Sequence, residues 1–129
     1  GGPEMYLSFD TSVLIEVERE TIKVIKQVER WKAIYPAPPK ITFIAYYEFI
    51  HGTRARNPQN KLKAEKFIEF FEMQTPTKRT AHILSQLNEK YELPVADMLI
   101  AAQTIENGGV LITRDKDFEQ IEELKKIMI

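Results

Sequence analysis

The chain has no cysteine. That excludes disulfide stapling, thiol catalysis and cysteine-ligated zinc. It also lacks any apolar run approaching the roughly 18 residues of a membrane span, and it carries no internal repeat, low-complexity segment or domain linker. An excess of one charge is missing as well: 18 Lys and Arg stand against 19 Asp and Glu, for a formal net charge of -1. No global basic field advertises a polyanion partner, so passive nucleic-acid binding is disfavoured while a local site stays open. No signal peptide is visible, and the expectation is a cytoplasmic protein without a membrane partner. Gly1-Gly2-Pro3-Glu4 ahead of Met5 reads as a cloning remnant and is set aside.

What remains, residues 5–129, is expected to be a single domain. An apolar content of 43% and a charged content of 29% suit a globular protein. Folding a chain of this length buries about two-thirds of its unfolded surface.

The most informative stretch runs from Val95 to Asp117. Pro94 suits the first turn of a helix, which puts Asp97 near a helix N-terminus. Leu99, Ala102 and Ile105 follow at helical spacing, and Gly108-Gly109 ends the helix. Val110-Leu111-Ile112 is a continuous apolar run, as a strand covered on both faces requires. It leads into Thr113-Arg114-Asp115-Lys116-Asp117. One acid therefore opens a helix and two more follow the next strand. In parallel α/β sheets, sites form at the carboxyl ends of strands.

The rest of the chain repeats this alternation. Met5 to Phe9 reads as a strand, followed by Asp10-Thr11-Ser12 as a helix start and a short acidic helix. A second helix is expected from Thr21 to about Ile34, with Ile22, Ile25, Val28 and Trp31 on its apolar face. Pro36, Pro38 and Pro39 suggest a rigid connection. Lys40 to Ile44 reads as the second strand, and Ala45 to about Arg56 as the next helix. Asn57 to Asn60 is a break, Lys61 to Phe71 a helix, Glu72 to Thr77 a short third strand and Thr80 to Tyr91 another helix. Phe118 to Ile121 forms a short turn or helix, and Lys126 to Ile129 a last strand. The pattern predicts an α/β fold with a mostly parallel central sheet of four to five strands and helices on both faces.

Asp10, Glu48, Asp97 and Asp115 fall at equivalent places in this scheme, each just past a strand or at the start of a helix. Each also has a purely structural role open to it: a helix cap for Asp10, a solvated helix face for Glu48, a dipole partner for Asp97, a turn for Asp115 and Asp117. If they converge, their mutual repulsion requires either protonation or a cation. Oxygen-only ligands favour a hard cation, Mg²⁺ or Mn²⁺. Such an ion lowers the pKa of a bound water and neutralises charge building on a phosphate, which makes metal-assisted phosphodiester hydrolysis the reaction class.

Four segments carry a resemblance: Phe9 to Ile15, Glu48 to Gly52, Asp97 to Ala102, and Leu111 to Phe118. In order and spacing the chain resembles a PIN-domain ribonuclease, and within that group a VapC-type toxin. The resemblance covers Met5 to Ile129. It implies a PIN-like three-layer fold and a Mg²⁺- or Mn²⁺-dependent endoribonuclease that forms a homodimer and is held inactive by a small antitoxin. It also implies that Asp10, Glu48, Asp97 and Asp115 are the catalytic, metal-binding acids. Asp117 competes for the fourth position, and Asp115 is favoured as nearer the strand end. Two departures stand out: Ser12 where many relatives have Asn, and Ala45 where they often have Thr, which predicts the loss of a helix cap near Glu48.

Phosphate contacts are expected from Arg54, Arg56, Lys61 and Lys63, a local basic stretch, and from Arg114 beside the acids. His51 is a weak candidate for proton transfer; Tyr46, Tyr47 and Trp31 suit core or dimer surface better than base stacking. Rival readings are a haloacid-dehalogenase-type phosphatase with Asp10 as nucleophile, a non-catalytic PIN-fold binding module, and a PIN-domain RNA-processing enzyme that is not a toxin.

Overall fold

A computed structural model describes residues 5–129; the four-residue segment ahead of Met5 lies outside the described residues. Strands are β1 (Tyr6–Phe9), β2 (Ala37–Thr42), β3 (Glu72–Gln74), β4 (Val110–Thr113) and β5 (Lys126–Met128). Helices are α1 (Thr11–Glu18), α2 (Ile22–Ile34), α3 (Phe43–Thr53), α4 (Pro58–Glu69), α5 (Lys78–Lys90) and α6 (Val95–Glu106), with a 3₁₀ turn at Lys116–Gln120. The sheet order is β3-β2-β1-β4-β5 and every pairing is parallel. This is the α/β, PIN-like three-layer architecture predicted. No helix among the described residues is long and apolar enough to cross a membrane.

The pleat explains the layers. Leu7, Phe9, Val110 and Ile112 face one way and join Val13, Leu14, Val24, Val28, Phe49 and Ile68 of α1 to α4 in one core. Leu111 faces the other way, onto Ala101, Ala102, Met98 and Leu87 of α6 and α5. Strands covered on both faces are largely apolar, and β4, apolar except for Thr113, is buried at all four positions. The outer strands β3 and β5 have three residues each, which leaves little unpaired edge.

Several boundaries differ from the sequence expectation. Pro38 and Pro39 lie inside β2 and do not form a separate connection. β3 pairs only with Lys40 to Thr42, so the prolines stand where no neighbour on that side needs their missing N–H, beside a register irregularity against β1. β2 ends at Thr42, and Phe43 and Ile44 belong to α3. The reason is a cap: the Thr42 hydroxyl accepts the Ala45 N–H at 3.2 Å. The cap expected to be lost at Ala45 is therefore present, supplied from Thr42. Asn57 to Asn60 is not a simple break. Asn57 caps α4 by accepting the Asn60 N–H at 2.9 Å, and Pro58 begins the helix. On α2 the buried positions are Val24 and Val28, while Ile22 is exposed.

Gly109 carries a steric requirement at the α6–β4 turn. A Cβ there would lie 2.7 Å from the Tyr6 ring, so any larger residue would have to displace that buried ring.

Candidate active site

Asp10 continues β1 beyond its last residue, its N–H donating to the Ile112 carbonyl at 2.9 Å. It then caps α1, with Oδ1 accepting the Thr11 N–H at 2.8 Å. Its other oxygen, Oδ2, accepts from the Thr113 hydroxyl at 2.7 Å. Burial pushes this carboxyl above its ordinary pKa, and the two hydrogen bonds work against that rise.

Thr113 is the last residue of β4 and fully buried. Besides donating to Asp10, its hydroxyl accepts the Asp115 N–H at 3.0 Å. Asp115 in turn accepts the Asp117 N–H on Oδ1 at 2.9 Å, which starts the 3₁₀ turn. From the other side of the cleft, Glu48 of α3 accepts the Thr11 hydroxyl on Oε1 at 3.1 Å. Sequence reasoning did not single out Thr11 or Thr113. The signal was present, since Thr11 directly follows Asp10 and Thr113 stands two residues before Asp115, both within the segments that carry the resemblance.

Asp97 lies in the first turn of α6, as its distance from Pro94 predicts. It forms no side-chain cap, and among the described residues none donates a hydrogen bond to its carboxylate. Its pKa is pushed up to about 6, first by burial and then by the charges of Asp115, Asp10, Asp117 and Glu48. Four other carboxylates therefore lie close enough to Asp97 to disfavour its charged form.

Asp10, Thr11, Ser12, Glu48, Asp97, Arg114 and Asp115 line one open cleft of about 370 Å³. The tightest group is different: oxygens of Asp97, Asp115 and Asp117 lie within 4.8 Å of one another. The structure thus brings Asp115 and Asp117 together with Asp97, and sets Asp10 and Glu48 around the same cleft. All the donors are oxygens, and the nearby cation Arg114 is engaged elsewhere, with Glu16 at 2.8 Å. Clustered carboxylates without a protein counter-charge fit a hard divalent cation.

The basic residues are not gathered at this cleft. Arg114 alone lines it. Arg56 forms a 2.9 Å ion pair with Glu18, whose side chain is only 3% exposed. With Glu18, Arg19, Asn60 and Lys63 it lines a second cavity of about 340 Å³. Glu18 ends α1 and Asp10 caps its start, so a helix of eight residues, about 12 Å long, separates them. Arg54 donates to the His51 carbonyl, and Lys61 is exposed. His51 is exposed and stacked on Tyr47 with ring centroids 5.7 Å apart, outside the residues lining the acidic cleft. Tyr46 and Trp31 are half-buried against the first core, while Tyr47 is exposed.

The family model described as PIN domain matches residues 8–124. No curated protein matches. Among solved structures, VapBC2 from Rickettsia felis, bound to a DNA fragment from its promoter, is similar at 17% identity with a TM-score of 0.81, covering 97% of this chain and 99% of that one. VapBC-1 from nontypeable Haemophilus influenzae is 22% identical with a TM-score of 0.79, covering 96% and 98%. A toxin–antitoxin complex from Klebsiella pneumoniae is 22% identical with a TM-score of 0.77, covering 95% and 99%. At these identities the likeness is one of fold.

Proposed function

The chain belongs to the PIN-domain family, and on that premise we propose that it is a divalent-metal-dependent endoribonuclease and the toxin of a toxin–antitoxin pair. The observation that carries the chemistry is the cluster of Asp97, Asp115 and Asp117, with Asp10 and Glu48 on the same cleft. The toxin assignment is supported by fold similarity to VapBC structures along nearly the whole length of both chains. A homodimer and a small antitoxin partner belong to this reading.

Asp97, Asp115 and Asp117 would hold the ion, Mg²⁺ or Mn²⁺. When bound, it would neutralise charge on a phosphate and make a coordinated water more acidic. The chain's own residues do the rest. Thr113 fixes Asp10 and the Asp115 backbone, so the two strand ends keep their separation. Thr11 holds Glu48 by Oε1 and leaves Oε2 without a protein donor among the described residues, free to accept a proton from an attacking water. That water's oxygen bonds to phosphorus as the bond to the leaving oxygen breaks, and the departing oxygen takes a proton from solvent, to which the cleft is open. The cleft is open to solvent, which suits a single strand better than a buried small ligand.

The phosphatase reading lacks the second acid it needs two residues after Asp10, where Ser12 stands. The non-catalytic reading leaves the carboxylate cluster without a purpose. The test is cleavage of single-stranded RNA by the purified protein with Mg²⁺ or Mn²⁺, by the same protein in EDTA, and by Asp97→Asn. Cleavage that needs the metal and is lost in the variant supports the proposal. Undiminished cleavage in EDTA sinks the metal mechanism, and metal binding with no cleavage of any RNA favours the binding module. For the toxin assignment, growth arrest on expression should be relieved by co-expressing the product of a neighbouring reading frame. Growth without arrest by cleavage-competent protein would favour an RNA-processing enzyme.

A further inference from the structure

Arg114 lines the cleft with four of the acids, yet among the described residues its only ion pair is with Glu16 of α1, which does not line it. Nε donates to Glu16 Oε2 at 2.9 Å and Nη2 donates to Oε1 at 3.1 Å. This is the parallel two-bond match of a guanidinium to a carboxylate. It leaves Nη1 with no protein acceptor among the described residues.

The pairing is not the one charge alone would select. Arg114 is the chain neighbour of Asp115, and Asp115, Asp97 and Asp117 offer three carboxylates within 4.8 Å of one another. A guanidinium on a long, flexible stem is drawn to such a focus of negative charge. Seated there, it would cancel the charge a divalent cation needs. The observed pair also does little for the fold. Its side chains are 38% and 31% exposed, and pairs that exposed contribute about 0–1 kcal/mol. Its effect must be sought in where it holds the arginine. Glu16 is well set for this, because α1 is anchored at its start by Asp10 itself.

We propose that Glu16 is a positioning residue that holds Arg114 at the rim of the cleft, keeping the guanidinium out of the carboxylate cluster so that a divalent cation can enter. The inference rests on the metal-dependent reading above. Held this way, Arg114 keeps Nη1 free for a phosphate oxygen of RNA, so one pair serves both metal entry and substrate binding.

A double-mutant cycle with Mn²⁺ as the only ligand tests it. Mn²⁺ affinity is measured by calorimetry for the parent, Glu16→Ala, Arg114→Ala and the double variant, each first shown to be folded by thermal melting. In Glu16→Ala the arginine becomes a tethered competitor. If it occupies the cluster nine-tenths of the time, apparent affinity falls about tenfold. Arg114→Ala should bind Mn²⁺ at least as tightly as the parent. The double variant should return to the Arg114→Ala value, because the competitor has gone. Glu16→Gln, which keeps the shape and loses the charge, should shift affinity in the same direction as Glu16→Ala and stands in for it if the alanine unfolds α1. A double variant as weak as Glu16→Ala overturns the proposal, since the loss would then come from the charge of Glu16 itself. Unchanged affinity in both Glu16 variants overturns it too. A parent protein that binds no Mn²⁺ is a separate outcome, which removes the metal reading and this inference with it.

Discussion

The hydroxyl of Thr113 donates to Asp10 Oδ2 across 2.7 Å, joining two residues far apart in sequence at the ends of adjacent parallel strands. The bond is fully buried. Because the same hydroxyl accepts the Asp115 N–H, one oxygen sets both the orientation of the first acid and the path of the chain toward the last two. The arrangement of carboxylates therefore depends on a residue that carries no charge.

Thr113→Val keeps shape and volume and removes both hydrogen bonds. Partners that orient metal ligands typically matter by 10–100-fold in affinity or activity, so Mn²⁺ affinity and RNA cleavage should each fall by at least about tenfold. Stability should fall as well, by about 1–3 kcal/mol, since the Asp115 N–H and Asp10 Oδ2 lose a buried partner. Parent-like Mn²⁺ affinity in a folded Thr113→Val protein would show that Asp10 and Asp115 are held by other means.

The pKa of Asp97 predicts how metal binding follows pH. A carboxyl raised to about 6 competes for its proton in the range where most acids are already ionised. Apparent Mn²⁺ affinity should be flat above about pH 7 and fall steadily below about pH 6. Calorimetric titrations between pH 5 and pH 8 (about one unit apart) read this directly. Affinity that does not change over this range would mean that Asp97 does not bind the ion.

The basic residues should divide into two classes. Arg54, Lys61 and Lys63 are exposed and in no ion pair among the described residues. If they contact phosphates, changing all three to Ala should weaken RNA binding and flatten its salt dependence without altering the melt. Arg56 is different. Its removal strands the buried carboxylate of Glu18, and breaking one side of a buried pair costs about 3–5 kcal/mol. Arg56→Ala should therefore melt well below the parent, whatever it does to RNA. An unchanged salt slope in the triple variant would move the RNA path elsewhere, and an unchanged melt in Arg56→Ala would refute the structural role.

Part of this was legible in the sequence for a physical reason. Val110-Leu111-Ile112 and Gly108-Gly109 are local signals, and a strand buried on both faces leaves no doubt about where its carboxyl end lies. The acids could be located from such ends, and Asp10 and Asp97 stand where the strand and helix starts put them. The proline-rich start of β2 was not legible. Whether a proline is tolerated in a strand depends on whether a neighbour needs its N–H, and that is fixed by how far β3 extends. The pairing of two of the cations was hidden for a similar reason. Arg56 meets Glu18 and Arg114 meets Glu16 only after α1 has packed against distant segments, so neither arginine's partner can be read along the chain.

Asp97→Asn separates a functional cluster from a structural one. The substitution keeps the shape and removes one of the crowded charges. The native state holds the Asp97 proton more tightly than the unfolded chain, whose carboxyl titrates near 3.8. Metal-free stability is therefore penalised fully above about pH 6, less as pH falls, and not at all below the unfolded value. Removing the charge should stabilise the metal-free protein at neutral pH by roughly 0.5–2 kcal/mol, less than the ~3 kcal/mol of an unscreened two-unit shift because the group is partly exposed. Opposing this is the attraction of an acid to a helix N-terminus, about 0.3–1 kcal/mol. Repulsion should win, because the carboxylate forms no cap hydrogen bond and faces four other acids. Thermal melts of parent and variant in EDTA should show the variant equal or higher at pH 7 and the gap closing toward pH 4 (roughly the unfolded pKa). With Mn²⁺ added the order should reverse, because only the parent gains the full stabilisation of a bound ligand. A variant that melts lower in EDTA, yet gains as much from Mn²⁺ as the parent, would make Asp97 a structural acid of α6 and undo the proposed site.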